Sequence, residues 1–448
     1  MKTLKVLSTA AIAGLGIAAL ASCGGSKEKA ITFYNTCGQN LQTKISEAIE
    51  AFEAKYGWKV ESTQIGGYDD VYSTCIAGLS ANAQPNIAYA YSDHVAAYIQ
   101  SGKVLDLNQF IDSTKEVNGT KLGYTADEKA DFVKGYYDEG LAKNYDDYSS
   151  YGFTENSMLT MPFSKSTELM YVNVTAMKAA GVETIPTTWD EMWELGDKAK
   201  EEGIYLFTYP TTGYFDAFFY ALMYAAGGSE FFDKATNYEE GIWETPEAQT
   251  CFDIVAKLAE YTNPITPAQA NDQDFTQNQQ LVLDNKAIFM PNGTWIVGEM
   301  ADAPRADGFK WGMTALPAVK AGGDSYSYTW FEQAWIPSGA EHQDAAKLFI
   351  SYLYSDKACE IFAKAGAIQP VLGIADKLEG DNVMFYSIYD NGAKAAMGNF
   401  ASFEAIPGIE VRTVFFDPVN SLVSGDMTEQ EWIDGIISAS DQMRANLK

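Results

Sequence analysis

The sequence predicts an α/β protein with a mostly parallel sheet and a helical C-terminal region. Three observations carry that reading. Apolar strands alternate with amphipathic helices over residues 30–91, capped helices and strands follow one another through the middle, and helical spacing dominates from His342 onward. At 448 residues the chain is long enough for two or three folding units.

Ala30 to Asn35 (AITFYN) is a short apolar strand. Leu41, Ile45, Ile49, Phe52 and Tyr56 then recur at helical spacing, and Gly57 ends the helix. Residues 58–63 read as a strand, 69–83 as a helix and 86–91 as a third strand. This βαβαβ order calls for parallel strands covered by helices, with ligands beyond the carboxyl ends of the strands. The loops 36–39, 65–69 and 92–94 therefore belong to the functional rim. After a polar stretch at 121–157, strand-like pieces at 158–162 and 169–173 flank Phe163-Ser164-Lys165-Ser166 and mark a crossing between lobes. Thr188-Trp189-Asp190-Glu191 and Thr428-Glu429-Gln430-Glu431 have capping-box spacing, and Thr245-Pro246 sets a cap before a first-turn proline. A strand at 205–208, a helix at 274–285, a strand at 286–290 and a turn at Pro291-Asn292-Gly293 come next. Strands at 311–316 and 328–336 precede helices at 345–354, 356–366, 382–398, 409–423 and 428–447.

Composition narrows the function. Lys and Arg total 31 against 60 Asp and Glu, a net charge of −29 that repels nucleic acid and anionic headgroups. Only Arg305, Arg412 and Arg444 carry guanidinium, so no Arg cluster awaits a carboxylate or phosphate, and a neutral ligand is expected. His94 and His342 lack zinc or catalytic spacing, and no phosphate-binding glycine loop is present, so no metal and no cofactor are expected. Asp146-Asp147 and Asn271-Asp272-Gln273-Asp274 lack the ligand series of a calcium loop and read as acidic surface.

Lys2 and Lys5 precede an apolar run from Val6 to Ala21, the pattern of a signal peptide spanning 1–22. Leu20-Ala21-Ser22-Cys23 is similar to a bacterial lipobox, which implies lipidation of Cys23, with residues 23–29 as a flexible tether. The protein is thus expected to be an exported lipoprotein of the bacterial cell membrane, facing the outside or the periplasm. Cys37, Cys75, Cys251 and Cys359 remain, an even number in an exported chain, and allow three pairings. Cys37–Cys75 within the first βαβα unit and Cys251–Cys359 between two later helices is the expected pairing, with four buried thiols as the alternative.

Four segments carry a family resemblance: the AITFYN strand with ISEAIEAFEAKYGWKVE, MPFSKSTELMYVNVTAMKAAGV followed by IPTTWDEM, KAIFMPNGTWIVGEM, and AWIPSGAEHQDAAKLFISYLYSDKA. In this order the chain resembles the extracellular solute-binding lipoproteins of ABC sugar importers, in the maltodextrin-binding-like group. The resemblance implies a periplasmic-binding-protein-like fold, with two α/β lobes closing on a neutral mono- or oligosaccharide that is delivered to membrane permease subunits. It implies a first lobe of 30–166 plus 309–332 and a second of 167–308 plus 333–448. The expected state is a monomer with no enzymatic activity; an exported polysaccharide-processing enzyme and a surface adhesin are the alternatives.

Site residues follow from these readings. Thr294 is placed to cap a helix starting at Trp295, whose indole can stack on a pyranose as the family's tryptophan does. Trp330 and Glu332 share one face of their strand, where many relatives have small residues, and are expected to enter the ligand space. In the crossing, Phe163 or Ser164 can touch the ligand, and Glu168 can accept a hydroxyl or pair with Lys165. Gln39, Tyr68, Asp69 and Asp93 lie on strand-end loops and suit adjacent hydroxyls, while Tyr214 and Asp216 follow the strand at 205–208.

Overall fold

The computed structural model describes residues 29–36, 39–90, 92–132, 134–145, 148–208, 215–264, 276–364, 384, 388, 392–396 and 415–446. Inside these ranges the side chains at 39–41, 68–69, 92–93, 134–136, 164–166, 276, 295, 299, 330–332 and 446 lie outside the description.

The chain starts as its alternation demands. β1 (Ala30–Asn35) buries Ile31 and Phe33 and pairs in parallel with β2 (Lys59–Gln64) and β3 (Ile87–Ala90). The intervening helices are α1 (Gln39–Tyr56) and α2 (Tyr68–Ala81); α3 (Ser92–Gln100) follows β3. Ile45, Ile49 and Phe52 of α1 pack on one sheet face, while Val71 of α2 and Val95 and Tyr98 of α3 cover the other. Gly57 ends α1 with φ 67°, a conformation that costs glycine least. A short hairpin, β4 (Glu116–Val117) and β5 (Thr120–Lys121), follows.

β6 (Met161–Asn173) is one continuous strand rather than two pieces around a break. β7 (Tyr205–Phe207) lies parallel to β8 (Ala287–Gly293), which pairs antiparallel with β6. β9 (Trp311–Thr314) also runs along β6, and β10 (Tyr326–Trp335) pairs with β6 from Tyr328↔Glu168 to Ala334↔Met161. The register shifts between Glu332 and Gln333. Among the described residues β11 (Lys394–Ala396) completes a nine-stranded sheet whose main path is β2-β1-β3-β10-β6-β8-β7. Two α/β lobes result, and β6 and β10 belong to both.

Around the second lobe α4 (Trp189–Glu201), α5 (Phe215–Thr236), α6 (Pro246–Ala259) and α10 (Glu429–Asn446, with α7 to α9 named below) share one core with β6 and β8. The expected caps form. Thr188 Oγ1 accepts from the Glu191 N–H while Glu191 accepts from the Thr188 N–H; Thr428 and Glu431 do the same, and Thr245 caps α6 ahead of Pro246. α5 kinks at Gly228, with φ 70° and ψ −168°. A Cβ on the neighbouring Gly227 would stand 2.5 Å from that of Phe231.

Several expectations are corrected. Strand β8 continues through Pro291-Asn292-Gly293 instead of turning there. β7 pairs with β8 at Ala287 and Phe289, and on the other side of β8 Pro291 lies opposite Met170 of β6. Gly293, at φ −91° and ψ 166°, is itself extended; a 3-10 turn over Thr294–Ile296 follows without a side-chain cap, so Thr294 does not cap a helix starting at Trp295. Lys394–Ala396 is a strand within the segment expected to be helical. The assignment of 309–332 and 333–448 to lobes is reversed in part. β9 lies beside the second-lobe half of β6, whereas Gln333, Ala334 and Trp335 pair with β3. α8 (Gln343–Leu353) and α9 (Asp356–Ala363) then join the first-lobe core, where Phe349 and Tyr352 meet Phe52. β10 therefore carries the chain from the second lobe into the first.

The expected Cys251–Cys359 disulfide is not formed in the structure, and Cys37, the expected partner of Cys75, lies outside the described residues. Cys75 and Cys251 are free buried thiols. Cys251 and Cys359 lie in different hydrophobic clusters, and the Cys359 thiol faces the Tyr354 carbonyl at 3.7 Å. Cys37 and Cys23 lie outside the described residues, as does the signal segment. Among the described residues no helix is long and apolar enough to cross a membrane.

Candidate functional site

The strand directions define the site. β3 is antiparallel to β10, and β10 to β6, so β3 runs the same way as β6 and its carboxyl end points toward the second lobe. β8 is antiparallel to β6, so its carboxyl end, and that of the parallel β7, points back toward the first lobe. The two sets of strand ends face each other. On the shared strands, the β3 end meets Gln333, opposite Pro162, and the β8 end meets Glu168. Six residue steps of β6 separate Pro162 from Glu168, roughly 20 Å at strand rise. Ligands of open α/β sheets sit beyond strand carboxyl ends, and here two such rims share one gap.

The backbone positions expected to bind ligand converge on it. Gln39 follows the end of β1, Tyr68 and Asp69 open α2 after β2, and Asp93 lies in the first turn of α3 after β3. Ser164 lies opposite Glu332, and Trp330 opposite Ser166, on the two crossing strands. Trp295 sits in the turn directly after β8. The side chains of Gln39, Tyr68, Asp69, Asp93, Ser164, Trp295, Trp330 and Glu332 lie outside the description, and Tyr214 lies wholly outside the described residues.

Three expected residues have described side chains. Phe163 is 1% exposed, stacks on Phe33 at 5.5 Å and meets Tyr89 edge-on at 4.3 Å; its ring belongs to the first-lobe core, which corrects its reading as a ligand contact. Glu168 is buried where β6 lies between Tyr328 of β10 and Gly293 of β8. Asp216 is fully buried at the start of α5, and its Oδ1 accepts from the Ala217 N–H at 2.7 Å.

The supports of the site escaped sequence reading. The Tyr171 hydroxyl donates to the Gly293 carbonyl at 2.8 Å, and Asn292 Oδ1 accepts from the Gly293 N–H at 2.8 Å, so the end of β8 that carries Trp295 is held from both sides. Just beyond β7, Thr208 Oγ1 donates to Asn278 Oδ1 at 2.7 Å, tying that strand end to α7 (Thr276–Leu283). Thr167 and Thr329 join the crossing strands through their hydroxyls at 3.1 Å, and Thr160 donates to Gln333 Oε1 at 3.0 Å beside the register shift. Except for Asn292, which bonds its neighbour, each of these side chains finds its partner far away in sequence. No group of three or more His, Cys, Asp or Glu among the described residues is placed to hold a metal ion.

Comparison with known proteins decides the family: residues 47–378 match the bacterial extracellular solute-binding proteins. The chain belongs to that family. This solute-binding protein is 24% identical over 271 residues to the diacetylchitobiose binding protein of Streptomyces coelicolor, a match covering 58% of the chain and 56% of that relative. It spans about half the length of that curated relative, and less of others. Its fold is shared with a chitin oligosaccharide binding protein at TM-score 0.72 and 16% identity, covering 94% of this chain and all of the other. A Mycobacterium tuberculosis UgpB solved with glycerophosphocholine matches at TM-score 0.71 and 15% identity, again over 94% of this chain and 100% of that one. The solute-binding protein thus has the two-lobed architecture of proteins that hold small molecules.

Proposed function

We propose that this solute-binding protein captures a neutral mono- or oligosaccharide between its lobes and hands it to ABC permease subunits in the membrane, as a member of the maltodextrin-binding-like group. The opposed strand ends across β6 and β10 are the observation that supports this reading, and Gln39, Tyr68, Asp69, Asp93, Trp295, Trp330 and Glu332 are the residues proposed to reach the ligand from them. Trp295 supplies the stacking surface, and the Asp, Glu and Gln side chains take hydroxyls. The lobe boundaries lie within β6 and β10. Closing on the sugar requires tighter binding to the closed form than to the open one. Export followed by lipidation at Cys23 would keep the body at the membrane, where the permease is.

A relative that binds diacetylchitobiose and a neighbour that binds chitin oligosaccharides favour N-acetylated sugars as the first probes. Thermal denaturation of residues 27–448 should be measured with N,N′-diacetylchitobiose, maltotriose, raffinose and glycerophosphocholine. A sugar at 100 times its Kd should stabilise the fold by about 2.7 kcal/mol and leave unchanged in structure. A shift with glycerophosphocholine alone, or conversion of the sugar, would replace the proposal.

A further inference from the structure

Lys347 lies in the middle of α8 with no exposed surface. Its Nζ donates to Ser351 Oγ at 2.7 Å and to the Leu122 carbonyl at 3.3 Å, and stands 4.1 Å from the centre of the Tyr124 ring. The Tyr124 hydroxyl shares Ser351 Oγ at 2.9 Å. A cation over an aromatic face is favourable, yet an ammonium without a carboxylate in contact is costly to bury. The remaining charges nearby are engaged. Glu128 accepts from the Thr125 N–H and hydroxyl at 2.7 and 2.9 Å, Lys129 pairs with Asp112, and Asp344 of α8 pairs with Lys115. Tyr137 and Tyr354 complete the surroundings through Phe132, which meets Tyr137 at 5.4 Å and Tyr354 at 4.9 Å.

We propose that residues 122–132 form a proton-sensitive strap: a proton on Lys347 loosens the docking of this segment on α8, and its loss tightens it. Burial pushes the Lys347 ammonium down to about 7, with the Glu128 charge opposing that shift. When the strap lifts, Lys347 meets water and returns toward the usual value of about 10.4. Opening therefore takes up one proton between those limits. The opening constant falls about tenfold per pH unit from about 7 upward and is flat below. The strap also reaches the crossing strands, because the Tyr354 hydroxyl, packed on Phe132, donates to the Pro162 carbonyl of β6.

Amide hydrogen exchange at Leu122 and Tyr124 tests this, since their N–H groups bond to the Lys115 and Ile111 carbonyls across the strap's base. With rates corrected for intrinsic pH dependence, protection in the wild type should rise about tenfold per pH unit between pH 7 and 9. Lys347→Met should protect these amides more and abolish the slope. Glu128→Gln, which keeps a capping side chain but removes the charge, should start the slope at lower pH, and it carries the test if Lys347→Met does not fold. A flat wild-type profile, the same slope in Lys347→Met, or an unmoved onset in Glu128→Gln would overturn the strap.

Discussion

The Cys75 thiol shows how burial rules chemistry at the scale of single residues. Burial pushes it up to about 12, against a hydrogen bond to Tyr98 that acts the other way, and burial likewise raises Cys251. Neither thiol supplies thiolate at neutral pH. Iodoacetamide at pH 8 should therefore leave Cys75 and Cys251 unmodified in the native protein and label both after unfolding, as read by peptide mass mapping. Rapid native labelling of either would contradict their burial. An even cysteine count in an exported chain is a fair sign of disulfides, but it says nothing about which side of a sheet each thiol occupies. Cys75 faces the α2–α3 side of the first lobe, Cys359 the opposite cluster and Cys251 the second-lobe core.

Elements were legible where the signal is local. The capping boxes at Thr188 and Thr428 join residues three apart, so their spacing alone foretells the hydrogen bonds. Hydrogen bonds from Thr187 and Thr188 hold the Glu191 carboxyl below its usual range, so the box contributes at neutral pH and weakens as acid protonates Glu191. Thr188→Ala should destabilise the protein by about 0.5 to 2 kcal/mol in urea denaturation, and no loss would show that α4 is held by packing alone. The ends of β8 and the path of β10 were not legible in the same way. Pro291 reads as a turn until its pairing with Met170 of β6 is seen, and the direction of β10 depends on partners in β3 and β6 at least 160 residues away.

For the whole molecule, the α/β class was legible in the alternation of strands and helices, the two lobes were implied by the family resemblance, and the βαβαβ order set which strand-end loops were expected to form the rim. The supports under the rim were not, because Thr208–Asn278, Thr160–Gln333 and Tyr171–Gly293 are contacts between distant segments. The facing strand ends give the account its central claim, that Trp295 and the first-lobe loops act on one sugar from opposite sides. Calorimetry of wild type, Trp295→Phe and Trp295→Ala with whichever sugar stabilises the wild type tests it most directly, with circular dichroism confirming the fold. The account predicts a loss of roughly 2 to 4 kcal/mol for Trp295→Ala, a Kd weaker by about 30- to 800-fold, and a smaller loss for Trp295→Phe. A folded Trp295→Ala protein that binds the sugar as tightly as wild type would contradict it.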